Sequence, residues 1–238
     1  MFPYKMNAYQ KKFAEKVQET LKQRGNIACL SSETGSGKTL SLLATVCNWM
    51  LKNNQASPRV QVVYLSRTHN QLENVVNEFR KLTEYYKSQI SILAFGSTQQ
   101  MGGHGPKENC HLRHKRYGEI FLKQQYEALT QKEVVSILKD LDECPYCYTR
   151  AFINKVDILL VPYNYVLVDD IRRNVGLVIR NKILIFDEAH NIEKVAEDAL
   201  SASLKITEIE KVHKEVKSEL HKEGALIIER ICRKLILM

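Results

Sequence analysis

At 238 residues, with 44% hydrophobic and 26% charged side chains, the chain is long enough to bury one substantial core, or one core with an inserted lobe, and its composition excludes wholesale disorder. No apolar run approaches the ~18 residues needed to span a bilayer, and the start Met1-Phe2-Pro3-Tyr4-Lys5 has no apolar signal region, so an intracellular, soluble protein is expected. The net charge of +8, from 35 Lys and Arg against 27 Asp and Glu, suits a polyanion such as nucleic acid, although solvated lysines alone give the same balance.

Short apolar, β-branched runs alternate with amphipathic stretches, the pattern of an α/β fold with a parallel sheet covered by helices. Strands are expected at 27–30, 60–65, 90–94, 157–161 and 183–186. Leu42, Leu43, Val46 and Trp49 put a helix over 39–51, and Leu72, Val75, Val76, Phe79 and Leu82 mark the next. From 95 to about 147 the pattern breaks. Gly102-Gly103-His104-Gly105-Pro106 reads as a loop, a basic and polar segment follows, and one amphipathic stretch lies around 134–141. A break of that length inside a compact domain implies an inserted subdomain. From 205 onward Ile206, Ile209, Val212, Val216 and Leu220 recur at steps of three and four, an amphipathic helix with a core-facing stripe. There is no internal repeat and no low-complexity segment.

Between the first expected strand and helix lies Ser32-Glu33-Thr34-Gly35-Ser36-Gly37-Lys38-Thr39. A loop whose backbone N–H groups surround phosphate oxygens needs glycines where a side chain would collide or φ must be positive, and Gly35 and Gly37 meet that need. Lys38 brings a cation to the β and γ phosphates, and Thr39 offers a hydroxyl to magnesium at a helix N-terminus that favours anions. Ser32 stands where the general motif has its first glycine. Far downstream, Asp187-Glu188-Ala189-His190 follows the apolar run Ile183-Leu184-Ile185-Phe186, at the carboxyl end of an expected buried strand where open α/β sheets bind ligands. An acid there holds magnesium, and Glu188 beside it orients or deprotonates water.

Six cysteines, Cys29, Cys47, Cys110, Cys144, Cys147 and Cys232, have no secretory context, so metal ligation or plain burial is a better starting point than a disulfide framework. Tyr163 and Tyr165 read on their own as core aromatics, and Arg67 as a surface charge.

Several ordered blocks resemble the XPD-like iron-sulfur DNA helicases of superfamily two, the group with the FANCJ, RTEL and CHL-type helicases. Phe2-Pro3-Tyr4 with Gln10 is similar to the family's opening block beside the nucleotide base. The loop from Ser32 matches the family's S-P-T-G-T-G-K-T except at Glu33 and Ser36, which removes the anomaly at Ser32. Tyr64-Leu65-Ser66-Arg67-Thr68-His69-Asn70-Gln71-Leu72 matches motif Ia, whose polar residues contact the DNA backbone in the family. Cys144-Pro145-Tyr146 with Arg150, Pro162-Tyr163-Asn164-Tyr165, and the run from Phe186 to Asn191 repeat the family's approach to its DEAH box.

The resemblance implies a RecA-like P-loop domain in an ATP-dependent DNA helicase, of 5′ to 3′ polarity in the complete enzyme, acting in repair or replication. Its division would be 1–95 and 149–204 for the first motor domain, 96–148 for a shortened iron-sulfur-like insertion, and 205–238 for the start of a helical arch domain. Asp187, Glu188 and Lys38 would be catalytic. Gln10, Ser32, Thr34, Gly35, Ser36, Gly37, Lys38 and Thr39 would bind ATP, with Thr39 and Asp187 on Mg2+. Arg67, Thr68 and Gln71 would lie on the track for single-stranded or forked DNA.

The family's four-cysteine [4Fe-4S] site is incomplete here. Cys110 resembles the first ligand and Cys144 the fourth, and residues 111 to 143 contain no cysteine. Cys147, with His104, His111 and His114 near it in sequence, leaves open a retained cluster, a structural zinc or a degenerate insertion. No block after His190 resembles the second RecA-like domain, which would act in cis or as a separate chain, so the chain is expected to be the front part of such a helicase. The alternative is a truncated, non-catalytic remnant that binds nucleic acid or a partner through Arg113-His114-Lys115-Arg116 and the amphipathic tail. An unrelated P-loop enzyme is disfavoured by the DEAH tetrad and motif Ia. The DNA role places the protein in the nucleus of a eukaryote, or otherwise in the nucleoid or cytoplasm.

Overall fold

The computed structural model describes residues 5–33, 35–53, 60–101, 128–141, 143–201, 205–218 and 228. The chain divides into two compact units, Met1–Ala196 and Glu197–Met238. In chain order the first unit carries α1 (Ala8–Leu21), α2 (Lys38–Asn53), β1 (Val62–Ser66), α3 (His69–Arg80), α4 (Glu84–Lys87), β2 (Ile92–Ala94), α5 (Gln131–Asp140), α6 (Pro145–Phe152), β3 (Ile158–Pro162), α7 (Asn164–Leu167), α8 (Asp169–Val175) and β4 (Ile183–Phe186). A 3-10 turn (Ala189–Asn191) leads into α9 (Ile192–Leu200), which crosses the unit boundary.

The four strands form one parallel sheet in the order β2-β3-β1-β4. Every residue of β1 and β3 is buried, as expected of strands covered on both faces. Alternation then sorts their side chains. Val62, Tyr64, Ile158 and Leu160 join a cluster with Leu40, Leu43, Val46, Met50, Val76 and Phe79 from α2 and α3, while Val63, Leu65, Leu159 and Val161 face Val134, Leu138, Tyr146, Phe152 and Tyr165 on the other side. Leucines, valines and one phenylalanine at helical spacing on α2 and α3 thus become one helical layer, and the sheet is the middle of three.

The ends of the expected insertion take part in this core. Phe95 and Met101 before the undescribed 102–127, and Ala128, Val134, Leu138 and Cys144 after it, are buried, and Leu93 bridges Leu129. The glycine loop at 102–106, Cys110 and the basic block at 113–116 lie outside the described residues, as do Phe2-Pro3-Tyr4 and Thr34.

One expected strand differs. Residues 26–33 form no ladder, and Ile27 is 98% exposed. A strand needs an edge to pair with as well as an apolar run. Among the described residues β4 pairs only with β1, and its four residues are half-buried where β1 and β3 are fully enclosed.

Helix termini carry local signals that the sequence spells out. α1, α3 and α5 begin with reciprocal capping boxes, Asn7 with Gln10, Thr68 with Gln71 and Thr130 with Glu133. α8 ends at Gly176 in the left-handed region (φ 79°), where its N–H bonds to the Arg172 carbonyl. The second unit contains α10 (Ile206–Ser218), on which Ile209 is buried while Ile206 and Val212 are exposed.

Candidate nucleotide site

The phosphate-loop segment runs into the first turn of α2. Gly35 and Gly37 both have positive φ, 77° and 76°, the conformation that lets successive N–H groups point inward. The Ser32 and Ser36 hydroxyls meet at 2.7 Å, and the Lys38 ammonium donates to the Ser32 carbonyl at 2.9 Å, so the loop closes on its own cation. Gln10 braces it from outside. The Asn7 N–H donates to its side-chain oxygen at 3.0 Å, and its amide nitrogen donates to the Ser36 carbonyl at 3.1 Å. A Cβ at Gly37 would meet that nitrogen at 2.7 Å.

The second half of the site hangs from the carboxyl ends of β1, β3 and β4. The Asp187 N–H donates to the Leu65 carbonyl at 2.9 Å and continues the β1–β4 ladder one residue past β4. The Tyr163 hydroxyl donates to the Asp187 carbonyl and to that of Glu188 (3.1 Å), with its ring 5.9 Å from that of Phe186. Burial, then the Asp187 and Glu188 carboxylates, push this phenol up to about 12, so it remains a donor at any physiological pH. Glu188 has φ 53° and ψ 48°, a left-handed backbone rare outside glycine, Asn and Asp, and its side chain is exposed.

Tyr64 joins the two halves. Its side chain is fully buried, and its hydroxyl interacts with the Asp187 carboxyl and the Thr39 hydroxyl without reaching full hydrogen-bond geometry with either. It lies beside both the Asp187 carboxyl and the Thr39 hydroxyl, and burial raises it far above the usual phenol range. The Asp187 carboxyl at the end of β4 and the Thr39 hydroxyl at the start of α2 therefore both act on the same buried hydroxyl. That is the donor chemistry a hard cation such as Mg2+ accepts, so Thr39 and Asp187 fit the ion. A tyrosine within the otherwise aliphatic Val62-Val63-Tyr64-Leu65 was the sequence signal for this contact, because a buried phenol must place its hydroxyl somewhere.

The motif Ia residues lie alongside. Arg67 and Thr68 are exposed, and the Arg67 guanidinium donates to the Asn191 side chain at 3.3 Å. The Gln71 side-chain oxygen accepts from the Thr68 N–H (3.1 Å) and from the Ser66 hydroxyl (2.8 Å), and its amide nitrogen donates to the Glu188 carboxylate at 3.2 Å. His190 is exposed, 3.0 Å from the Asn191 amide nitrogen.

The cysteines do not assemble a metal centre among the described residues, where no group of three metal-capable side chains occurs. Cys144 is buried within the core at the N-terminus of α6, and Cys147 is partly buried on the same helix. Two described thiols fall short of the four that a cubane cluster takes.

Known proteins share this chain's pattern throughout. The family described as DEAD/DEAH box helicase matches residues 7–112, and the family described as DEAD_2 matches residues 103–209. A regulator of telomere elongation helicase 1 homolog from Caenorhabditis briggsae is 31% identical across 96% of this chain and 27% of that protein. The human regulator of telomere elongation helicase 1 is 28% identical across 85% of this chain and 21% of that protein. A solved XPD helicase superposes with a TM-score of 0.60 at 25% identity, covering 98% of this chain and 40% of that one. The chain belongs to the XPD-like helicases of superfamily two. It spans about a quarter of the helicases it matches. A truncated XPD, at 20% identity and a TM-score of 0.57 over 97% of this chain, shares the fold. No described helix is long and apolar enough to cross a membrane.

Proposed function

We propose that this chain is the ATP-binding part of an ATP-dependent DNA helicase that couples hydrolysis to unwinding. The observation that carries the reading is the meeting of Thr39 and Asp187 around the buried Tyr64 hydroxyl, which brings a phosphate loop and a DEAH box to one point. Lys38, the loop N–H groups of Gly35, Ser36 and Gly37, and the Ser32 and Thr34 hydroxyls would hold the phosphates, with Gln10 bracing the loop near the base. Thr39 and Asp187 would hold Mg2+, which neutralises charge building on the phosphates during transfer. Glu188 would orient and deprotonate the attacking water. The arginines that reach the γ-phosphate would come from a second RecA-like domain, in cis or as a separate chain.

Arg67 and Thr68, both exposed, would meet the DNA backbone with Gln71 behind them, giving salt-sensitive binding without sequence preference. The family assignment further suggests 5′ to 3′ movement, a role in repair or replication and, in a eukaryote, a nuclear location. Iron-sulfur chemistry gains no support from the described cysteines.

Lys38→Ala and Glu188→Gln should each abolish DNA-stimulated ATP hydrolysis wherever the second motor domain is present; full turnover in both would refute the reading. A non-catalytic remnant that binds nucleic acid is the second reading, favoured by the exposed, unladdered course of residues 26–33 into the phosphate loop. Single-stranded DNA binding indifferent to ATP and to Lys38→Ala would select it.

A further inference from the structure

We infer that Gln71 is a positioning residue for the Glu188 carboxylate, rather than a contact to DNA. This rests on the reading of Glu188 as the group that handles the attacking water. The Gln71 side chain has an acceptor oxygen and an amide nitrogen with two N–H donors, and the oxygen and one of those N–H groups are committed inside the protein. Its oxygen takes the Thr68 N–H at the start of α3 and the Ser66 hydroxyl at the end of β1, which fixes the amide plane. Its nitrogen then faces the Glu188 carboxylate at 3.2 Å. A half-buried amide so oriented keeps a single N–H, and its oxygen, the group that fixes the amide plane, is turned inward.

Glu188 is held from the other side as well. Its carbonyl accepts from the Tyr163 hydroxyl and from the Asn191 amide, each at 3.1 Å, within the left-handed turn that swings it off the end of β4. Asn191 in turn accepts from Arg67 at 3.3 Å. The backbone of the DEAH turn is therefore pinned by Tyr163 and Asn191, and Gln71 supplies the remaining restraint, on the carboxylate. A general base placed within reach of its water gains from such restraint, because orientation counts directly in the rate. The segment from Arg67 to Gln71 also has an exposed end beside Asn191 and an inner end on Glu188. A polyanion that draws Arg67 away from Asn191 changes the support of the same turn.

The test uses Gln71→Glu and Gln71→Ala. Glutamate at this position keeps the capping-box acceptor for the Thr68 N–H, so α3 keeps its start, but it loses the donor and sets a second carboxylate against Glu188. Single-turnover ATP hydrolysis, with the second motor domain present and protein in excess of ATP, should fall about tenfold or more in Gln71→Glu and less in Gln71→Ala, with ATP affinity and affinity for a dT oligonucleotide unchanged. Unchanged hydrolysis in Gln71→Glu, or weakened oligonucleotide binding with hydrolysis intact, would overturn the assignment. Absence of hydrolysis in the unaltered protein with the second motor domain present counts against the enzyme reading instead. The contact is then decided by NMR of the 15N-labelled Gln71 amide, which must shift in Glu188→Gln; no shift rejects it.

Discussion

The two ends of β1 and β4 are crossed by polar networks of opposite kinds. At the amino end, Lys182 donates to the side chains of Gln61 and Asn154, Gln61 donates to the Ile153 and Val156 carbonyls at 2.9 and 2.6 Å, and Asn154 is bonded to the Gly176 carbonyl and the Val178 N–H. That network closes on itself, joining β1 and β4 to the chain segments that follow α6 and α8. At the carboxyl end the same strands lead to Tyr64, whose buried hydroxyl reaches full hydrogen-bond geometry with no group among the described residues, to Glu188 in a left-handed backbone, and to Lys38, turned back on its own loop. A buried hydroxyl short of full hydrogen-bond geometry and a strained carboxylate residue cost stability. The fold carries both where phosphate and metal chemistry is proposed, whereas at the amino end the left-handed residue is Asn181 (φ 60°), a type that adopts this backbone more readily than glutamate.

The contrast sets out what each end should do when altered. Lys38→Ala or Glu188→Gln should lower DNA-stimulated hydrolysis by on the order of a thousandfold with little change in melting temperature, because neither side chain holds the core together. Gln61→Leu should do the reverse. Two backbone carbonyls and the Lys182 ammonium would lose a buried partner, at a cost of about 1–3 kcal/mol in urea unfolding, without touching nucleotide affinity.

Tyr64→Phe removes only the buried hydroxyl. Stability should stay level or rise by up to about 1 kcal/mol, while the Mg2+ concentration needed for nucleotide binding increases. Loss of stability would show that the hydroxyl already has a partner.

The smallest effect concerns Lys182, whose amine burial lowers to about 8. Below that pH the lysine is charged in both folded and unfolded chains, and the burial penalty is present in full. Between about 8 and the ordinary lysine value the unfolded chain binds the extra proton, so this group makes stability rise with pH. Lys182→Met should flatten that part of the melting curve against pH.

The sequence made the motif-bearing parts legible and left the connections between them dark. Phosphate geometry asks for glycines at 35 and 37 and the Lys38-Thr39 pair, and the apolar run before Asp187 announces a strand end, so both halves of the candidate site could be located from local pattern. Alternation likewise placed Val62, Tyr64 and their neighbours inside a covered parallel sheet. What pattern could not carry was register. Tyr64 stands opposite Ile185 in the β1–β4 pairing, and that register sets its hydroxyl near Asp187. The Gln71–Glu188 and Lys182–Gln61 bonds join residues more than a hundred positions apart and need the same information. Residues 27–30 failed as a strand for the converse reason, since an apolar run announces a strand but not an edge to receive it. Tyr163 was read on its own as a core aromatic, which it is, but its hydroxyl also clamps the DEAH turn.

The most direct measurement is the equilibrium affinity of the chain for ATP with and without Mg2+, compared with Lys38→Ala and Asp187→Asn. The account requires Mg2+ to strengthen binding in the unaltered chain, Lys38→Ala to lose most of the affinity, and Asp187→Asn to lose chiefly the Mg2+ dependence. Affinity that is indifferent to Mg2+ and equal in all three chains would contradict it.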